Sequence, residues 1–162
     1  MTTKGDLEAR LLAMEDMRAI EDVLCAYGEA LDYGLEDQFV DLFTEDGIWM
    51  IRRAGAEDRV YQGSEQLRKF AMGHTRAPTK IHKHVFTNLK IIVDGDTAKA
   101  DCYFFRLDAS AARDPAVPSL SDSFIFEMGR YHDDLVRCAD GKWRFKLRQV
   151  LGEDDRANRQ TR

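Results

Sequence analysis

Ile91-Ile92-Val93-Asp94-Gly95-Asp96-Thr97-Ala98 is the stretch that decides how this chain folds. An Asp-Gly pair between two β-prone runs marks a tight hairpin, because the turn between two twisted strands needs backbone that tolerates positive φ. The run before it extends back to Lys80, and the run after it continues to Asp108. The same signal returns at Asp140-Gly141, flanked by Ser123 to Arg137 and by Trp143 to Leu151. Pro115 and Pro118 make Ala109 to Leu120 a loop between the two hairpins. The C-terminal half is therefore read as four long strands, paired mostly antiparallel.

Upstream the period changes. Leu7, Leu11, Met14, Met17, Ile20, Leu24, Tyr27 and Leu31 recur every three or four residues, the pattern of a long amphipathic helix, with Gly34 placed to cap its end. A short helix carrying Leu35, Phe39, Leu42 and Phe43 follows, and Glu45-Asp46-Gly47 is expected to end it. Ile48 to Arg52 and Arg59 to Gln62 read as a short hairpin about a turn at Gly55-Ala56-Glu57-Asp58. Ser64 is the expected N-cap of a third helix with Leu67, Phe70 and Met72. Thr75 to Thr79, with Pro78, reads as a loop. Helices first and strands after make an α+β domain, a curved sheet packed against N-terminal helices. Residues 1–151 are read as this one domain and residues 152–162 as a polar, disordered tail.

Composition narrows the function classes. A 162-residue chain with 44% hydrophobic and 33% charged residues suits one globular core. A net charge of −5 argues against nucleic-acid binding, which needs basic surface. No apolar run approaches a membrane span, and the first ten residues lack the apolar centre of a signal peptide. Cys25, Cys102 and Cys138 are widely spaced with no CxxC pair, which fits thiols in the cytoplasm.

The candidate chemistry begins at His82 and His84. Two residues apart on a strand, they face the same way, with Phe86 continuing that face. Imidazole moves protons near neutral pH; the plainer reading is two polar groups on a solvated sheet face. Two histidines and a carboxylate also suit a metal, but no third ligand is marked by local spacing. Asp32 ends the apolar stripe of the long helix, one turn after Gly28. A negative charge at a helix C-terminus is unfavourable by about 0.3–1 kcal/mol, which hints at a cationic partner. Tyr27 continues the stripe, and its hydroxyl needs a partner if buried. Arg144, Lys146 and Arg148 alternate with Trp143, Phe145 and Leu147, so periodicity alone sends Arg148 to solvent.

The run Asp32…His84-Val85-Phe86-Thr87-Asn88-Leu89…Trp143-Arg144-Phe145-Lys146-Leu147-Arg148 resembles the SnoaL-like branch of the nuclear-transport-factor-2-like superfamily. Within it the chain is similar to the scytalone dehydratase, bile-acid dehydratase and hexachlorocyclohexane dehydrochlorinase group, over roughly Glu8 to Val150. The resemblance implies a cone-shaped α+β barrel with a buried pocket. It matches Asp32 to the group's helix-end aspartate, His84 to its strand histidine, Arg148 to an arginine five residues after a tryptophan, and Tyr27 to the tyrosine of the bile-acid enzyme. The dehydrochlorinase has lysine in place of Tyr27 and cysteine in place of His82, so the resemblance points away from dehydrochlorination and gives His82 no inherited role. It also sends Arg148 into the cavity, against the periodicity. That orientation is preferred here, because a barrel lined by helices and covered by partner subunits can bury both faces of a strand.

What the resemblance implies is a lyase with a His-Asp dyad acting without metal or organic cofactor. His84, Asp32, Arg148 and Tyr27 are the expected catalytic residues; His82, Phe86, Trp49, Tyr61 and Tyr131 are the expected substrate contacts. The expected partner is a hydrophobic small molecule, and the expected assembly a homodimer or homotrimer through the apolar strand face around Tyr103, Phe105, Phe124 and Phe126. An isomerase using the same dyad, a carrier of small molecules, or an oxygenase small subunit are the alternatives.

Overall fold

The long helix forms where the periodicity places it. A computed structural model describes residues 3–53, 57–74, 80–109 and 123–153. In it α1 spans Lys4–Tyr33. Thr3 and Asp6 close a capping box at its start, and Gly34, at φ 68°, ends it in the left-handed conformation. Only its second half enters the core, through Ile20, Leu24, Tyr27 and Leu31. Leu7, Leu11 and Met14 are more than half exposed, so the expected stripe is packed over only part of its length.

The next helix, α2 (Glu36–Asp41), is shorter than expected, and Glu45-Asp46-Gly47 do not terminate it. They lie inside the first strand, β1 (Phe43–Arg53), within an irregularity between Phe43 and Ile48. β2 (Arg59–Gln62) pairs antiparallel with β1, as expected. α3 spans Gly63–Gly73. Gly63, at φ 79°, makes the turn out of β2, which leaves Ser64 inside the helix and Gln62 at the N-cap position without a side-chain bond.

Four long strands follow: β3 (His82–Asp94), β4 (Thr97–Ala109), β5 (Ser123–Arg137) and β6 (Trp143–Gly152). The sheet order is β2-β1-β6-β5-β4-β3, antiparallel throughout except for the parallel pair of β1 and β6. Three bulges interrupt the long ladders, near Asn88 in β3, Phe126 in β5 and Lys146 in β6. Each adds local twist and bends its strand. The result is a cone-like curved sheet whose concave face meets α1. Ile20, Leu24, Tyr27, Phe39, Phe104, Tyr131 and Phe145 form the centre of the core.

The bulge in β6 decides where Arg148 points. Trp143 and Phe145 face inward, the extra residue Lys146 is exposed, and Arg148 and Val150 then face inward again. Burial of both strand faces is therefore not needed to bring Arg148 inside; the alternation changes phase. Beyond β6, Glu153 pairs with Arg130, and the rest of the expected tail lies outside the described residues. So do the expected proline-bearing loops at Pro78, Pro115 and Pro118, and Gly55-Ala56 of the first turn. No helix among the described residues is long and apolar enough to cross a membrane.

Candidate active site

The site forms where the last turn of α1 crosses the start of β3. Gly28 permits the approach: a Cβ there would lie 3.0 Å from the Phe86 ring and 3.3 Å from the Cβ of His84. One turn on, Asp32 is buried and meets β3 with both oxygens. Its Oδ1 lies 2.7 Å from His84 Nδ1, and its Oδ2 accepts the His84 backbone N–H at 3.2 Å. Lys83 Nζ stands 3.7 Å from Oδ2 and offsets the charge at the helix end. Asp32 thus fixes both the backbone and the ring of His84.

His82 shares this carboxylate, with Nε2 3.3 Å from Oδ1. Among the described residues neither of its ring nitrogens makes a hydrogen bond, and burial lowers its pKa to about 4, helped by the charges of His84 and Arg106. His82 is therefore neutral at physiological pH and packs behind Asp32. His74, at the end of α3, brings its ring within 5.0 Å of His82 and 5.6 Å of His84, centre to centre. Three of the four histidines of the chain gather here. Nothing in the sequence marked His74, which follows the third helix outside its apolar set of Leu67, Phe70 and Met72.

A cavity of about 400 Å³ opens in front of His84. Its wall is largely aromatic, with Tyr27, Trp49, Tyr61, Phe70, Phe104 and Tyr131. Of the expected substrate contacts, Trp49, Tyr61 and Tyr131 stand on this wall. His82 and Phe86 do not; Phe86 packs against Tyr27 and Tyr131 and lines a second cleft between α1 and β3.

Tyr27 is the most constrained group on the wall. Its hydroxyl oxygen accepts the Trp49 Nε1–H at 2.8 Å. Burial raises its pKa, while the Arg148 charge and hydrogen bonds from Trp49 and Tyr131 work in the other direction. Arg148, fully buried, lies with its guanidinium carbon 3.9 Å from the Tyr27 ring centre and 3.8 Å from that of Tyr131. It is not on the cavity wall; its two tyrosine neighbours are. Its anion is Asp133, the residue directly opposite on β5, at 3.3 Å. Burial pushes the Asp133 carboxyl up to about 7 against the pull of Arg148. Asp133 was missed from sequence, although Gly129, Tyr131, Asp133 and Leu135 alternate and place a carboxylate on an apolar face.

Asp32, His82 and His84 could also hold a metal, since one donor atom from each lies within 4.8 Å of the others. Two imidazoles and a carboxylate suit a first-row transition ion. Such an ion would compete with His84 Nδ1 for the Asp32 oxygen that it already occupies.

Known proteins share this framework. The SnoaL-like domain pattern matches residues 13–149. An uncharacterised protein of Mycobacterium tuberculosis, Rv2910c, is 28% identical over 85% of this chain and 84% of its own length. An NTF2-like protein of cystatin-like fold from Novosphingobium aromaticivorans superposes with a TM-score of 0.78 at 22% identity, covering 99% of this chain and 97% of its own. A candidate scytalone dehydratase from the same organism gives 0.66 at 23%, over 88% and 87%. The β subunit of a candidate aromatic-ring-hydroxylating dioxygenase, again from that organism, gives 0.70 at 19%, over 90% and 94%. At these identities the structural likenesses speak for the fold alone.

Proposed function

The chain belongs to the SnoaL-like domain family, and on that premise we propose that it is a lyase removing water from a small cyclic or polyketide-like molecule. The observation that carries this reading is the 2.7 Å contact of Asp32 with His84 Nδ1, beside an aromatic cavity that Tyr27 also lines. With Nδ1–H donated to Asp32, the lone pair of His84 sits on Nε2, and the carboxylate stabilises the imidazolium as it forms. Nε2 takes a proton from a carbon next to a carbonyl, and the C–H electrons become the new double bond. The departing hydroxyl takes the Tyr27 proton and leaves as water. The phenolate left behind is stabilised by the Trp49 N–H and by the Arg148 guanidinium under its ring. Return of the proton from His84 to Tyr27 through water closes the cycle. Arg148 acts here through the tyrosines, as a positioning residue, and not on the leaving group. Acid–base help of this kind is worth about 10²–10⁴ in rate. Side chains alone supply these steps.

The test is a panel of cyclic β-hydroxy ketones, with conjugated product followed by absorbance. Turnover should vanish in His84→Gln and fall about 10³–10⁴-fold in Asp32→Asn. Turnover that survives His84→Gln would defeat the proposal. Tyr27→Phe separates elimination from isomerisation, since only elimination needs a proton for a leaving group.

A second reading has its own observation. Tyr103, Leu107, Ile125 and Met128 leave an exposed apolar face on β4 and β5, which suits an assembly module, either of copies of this chain or of a larger oxygenase. Phe124, expected on that face, pairs with the buried Asp108 and points to the opposite one. Phe126, expected on that face, instead lines the cavity and stacks on Arg106. Sedimentation of the purified protein, alone and from lysate, distinguishes self-assembly from a hetero-complex.

A further inference from the structure

The charge of the cavity is opposite to that of the chain. The net charge is −5, yet among the described residues the lining carries Arg59, Lys69, Lys80 and Arg106 against the single carboxylate of Glu127. Arg106 is engaged, gripping Asp108 at 2.7 and 2.8 Å with its guanidinium over the Phe126 ring. The other three are exposed and come from three separate places: β2, α3 and the segment just before β3.

Their lack of partners is unusual for this molecule. Elsewhere on the surface cations find acids: Arg18 with Asp22, Arg52 with Asp58, Arg68 with Asp37, Arg137 with Asp16, Arg144 with Asp41. Among the lysines and arginines whose side chains are described, those outside any ion pair are Arg10 and Lys90, which do not line the cavity, and the three that do. An acidic chain has carboxylates available to neutralise these positions, and none of the described ones is paired with them. Cations gathered around a concave, low-dielectric wall focus their field into it and raise the local concentration of anions.

Taking the cavity as the reaction site, as proposed above, we infer that the molecule it accepts carries an anionic substituent of the carboxylate or phosphate class, held by Arg59, Lys69 and Lys80 while its ring body lies on the aromatic wall beside His84. The substrate is then an amphipathic anion and not a purely hydrophobic molecule. The charged end fixes which carbon faces Nε2, because a ring sliding on an aromatic wall has no other strong anchor.

The test uses calorimetric titration of three matched probes: 2-naphthoate, 2-naphthyl phosphate and the neutral 2-naphthamide. At least one anion should bind about tenfold more tightly than the amide at low salt, since exposed ion pairs are individually weak but act together here. The advantage should shrink as salt screens the rim. Which anion leads separates the carboxylate from the phosphate. The combined Arg59→Gln, Lys69→Gln, Lys80→Gln variant should lose the preference and keep its affinity for the amide, and each single variant should lose part of it. His84→Gln should retain the preference, so failure of the base chemistry and failure of the anion site give different results. Equal binding of amide and anions, no binding of either anion at millimolar concentration, or a preference that survives the triple variant would overturn the inference.

Discussion

Asp133→Asn exchanges one buried oxygen for nitrogen with almost no change of shape, and it should change how stability depends on pH. Burial pushes the Asp133 carboxyl from 3.8 up to about 7, with Arg148 pulling it down and Asp101 and Asp134 pushing it further up. In an unfolded chain the same carboxyl titrates near its ordinary value of about 3.9. The folded state therefore holds the proton more tightly than the unfolded state. The stability this contributes is complete below the unfolded value and is lost as pH rises through about 7. Each pH unit between the two values is worth about 1.4 kcal/mol, so the loss is of the order of 3–4 kcal/mol across the window. Urea unfolding of wild type and variant between about pH 4 and pH 8 measures it. The difference in stability, wild type minus variant, should fall by that amount up to about pH 7 and then level. Because Arg148 stays charged throughout, loss of its partner adds only a constant offset. Parallel curves for the two proteins would show that the pair is ionised across the whole range and that the reasoning from burial is wrong.

Gly28→Ala places a methyl group 3.0 Å from the Phe86 ring; overpacking of about 1–3 kcal/mol should exceed the helix-propensity gain of about 1 kcal/mol and lower the melting temperature, and a variant more stable than wild type would show that α1 can retreat freely from β3. Tyr27→Phe leaves the buried Trp49 N–H without its acceptor and should cost about 1–3 kcal/mol in urea unfolding; a loss below about 0.5 kcal/mol would mean that water takes its place. Protein purified from metal-replete medium should carry less than stoichiometric iron or zinc by elemental analysis. One ion per chain, absent from His82→Ala, would replace the dyad with a metal centre built on Asp32, His82 and His84.

Much of this fold was legible because its punctuation is local. Asp94-Gly95 and Asp140-Gly141 fix two hairpins, and the spacing from Ile20 to Leu31 fixes the buried half of α1. What was illegible is non-local. A bulge such as that at Lys146 leaves no compositional mark, so periodicity sends Arg148 to solvent and the resemblance sends it into the cavity, whereas it lies in the core behind Tyr27 and Tyr131. His74 and Asp133 joined the site through partners on other elements, at distances in sequence that no window spans. His84 and Asp32 were legible singly, as a strand histidine and a helix-end carboxylate, and their pairing only through the resemblance; the 2.7 Å contact needed Gly28 to let helix and strand meet.

The bulge in β6 gives that strand two reading frames, one up to Phe145 and another from Leu147 onward. A deletion at Lys146 would merge them into one regular alternation in which Phe145, Arg148 and Val150 still face inward and Leu147 and Gln149 outward. That one-residue loss would keep the cation between its two tyrosines and opposite Asp133, and would remove only the twist and bend that the extra residue adds. The inward set is thus indifferent to whether the exposed Lys146 is present, but not to a second loss beside it. In comparing relatives, a one-residue gap placed here would leave the same interior, whereas a gap of two would reverse which residues of the strand face it.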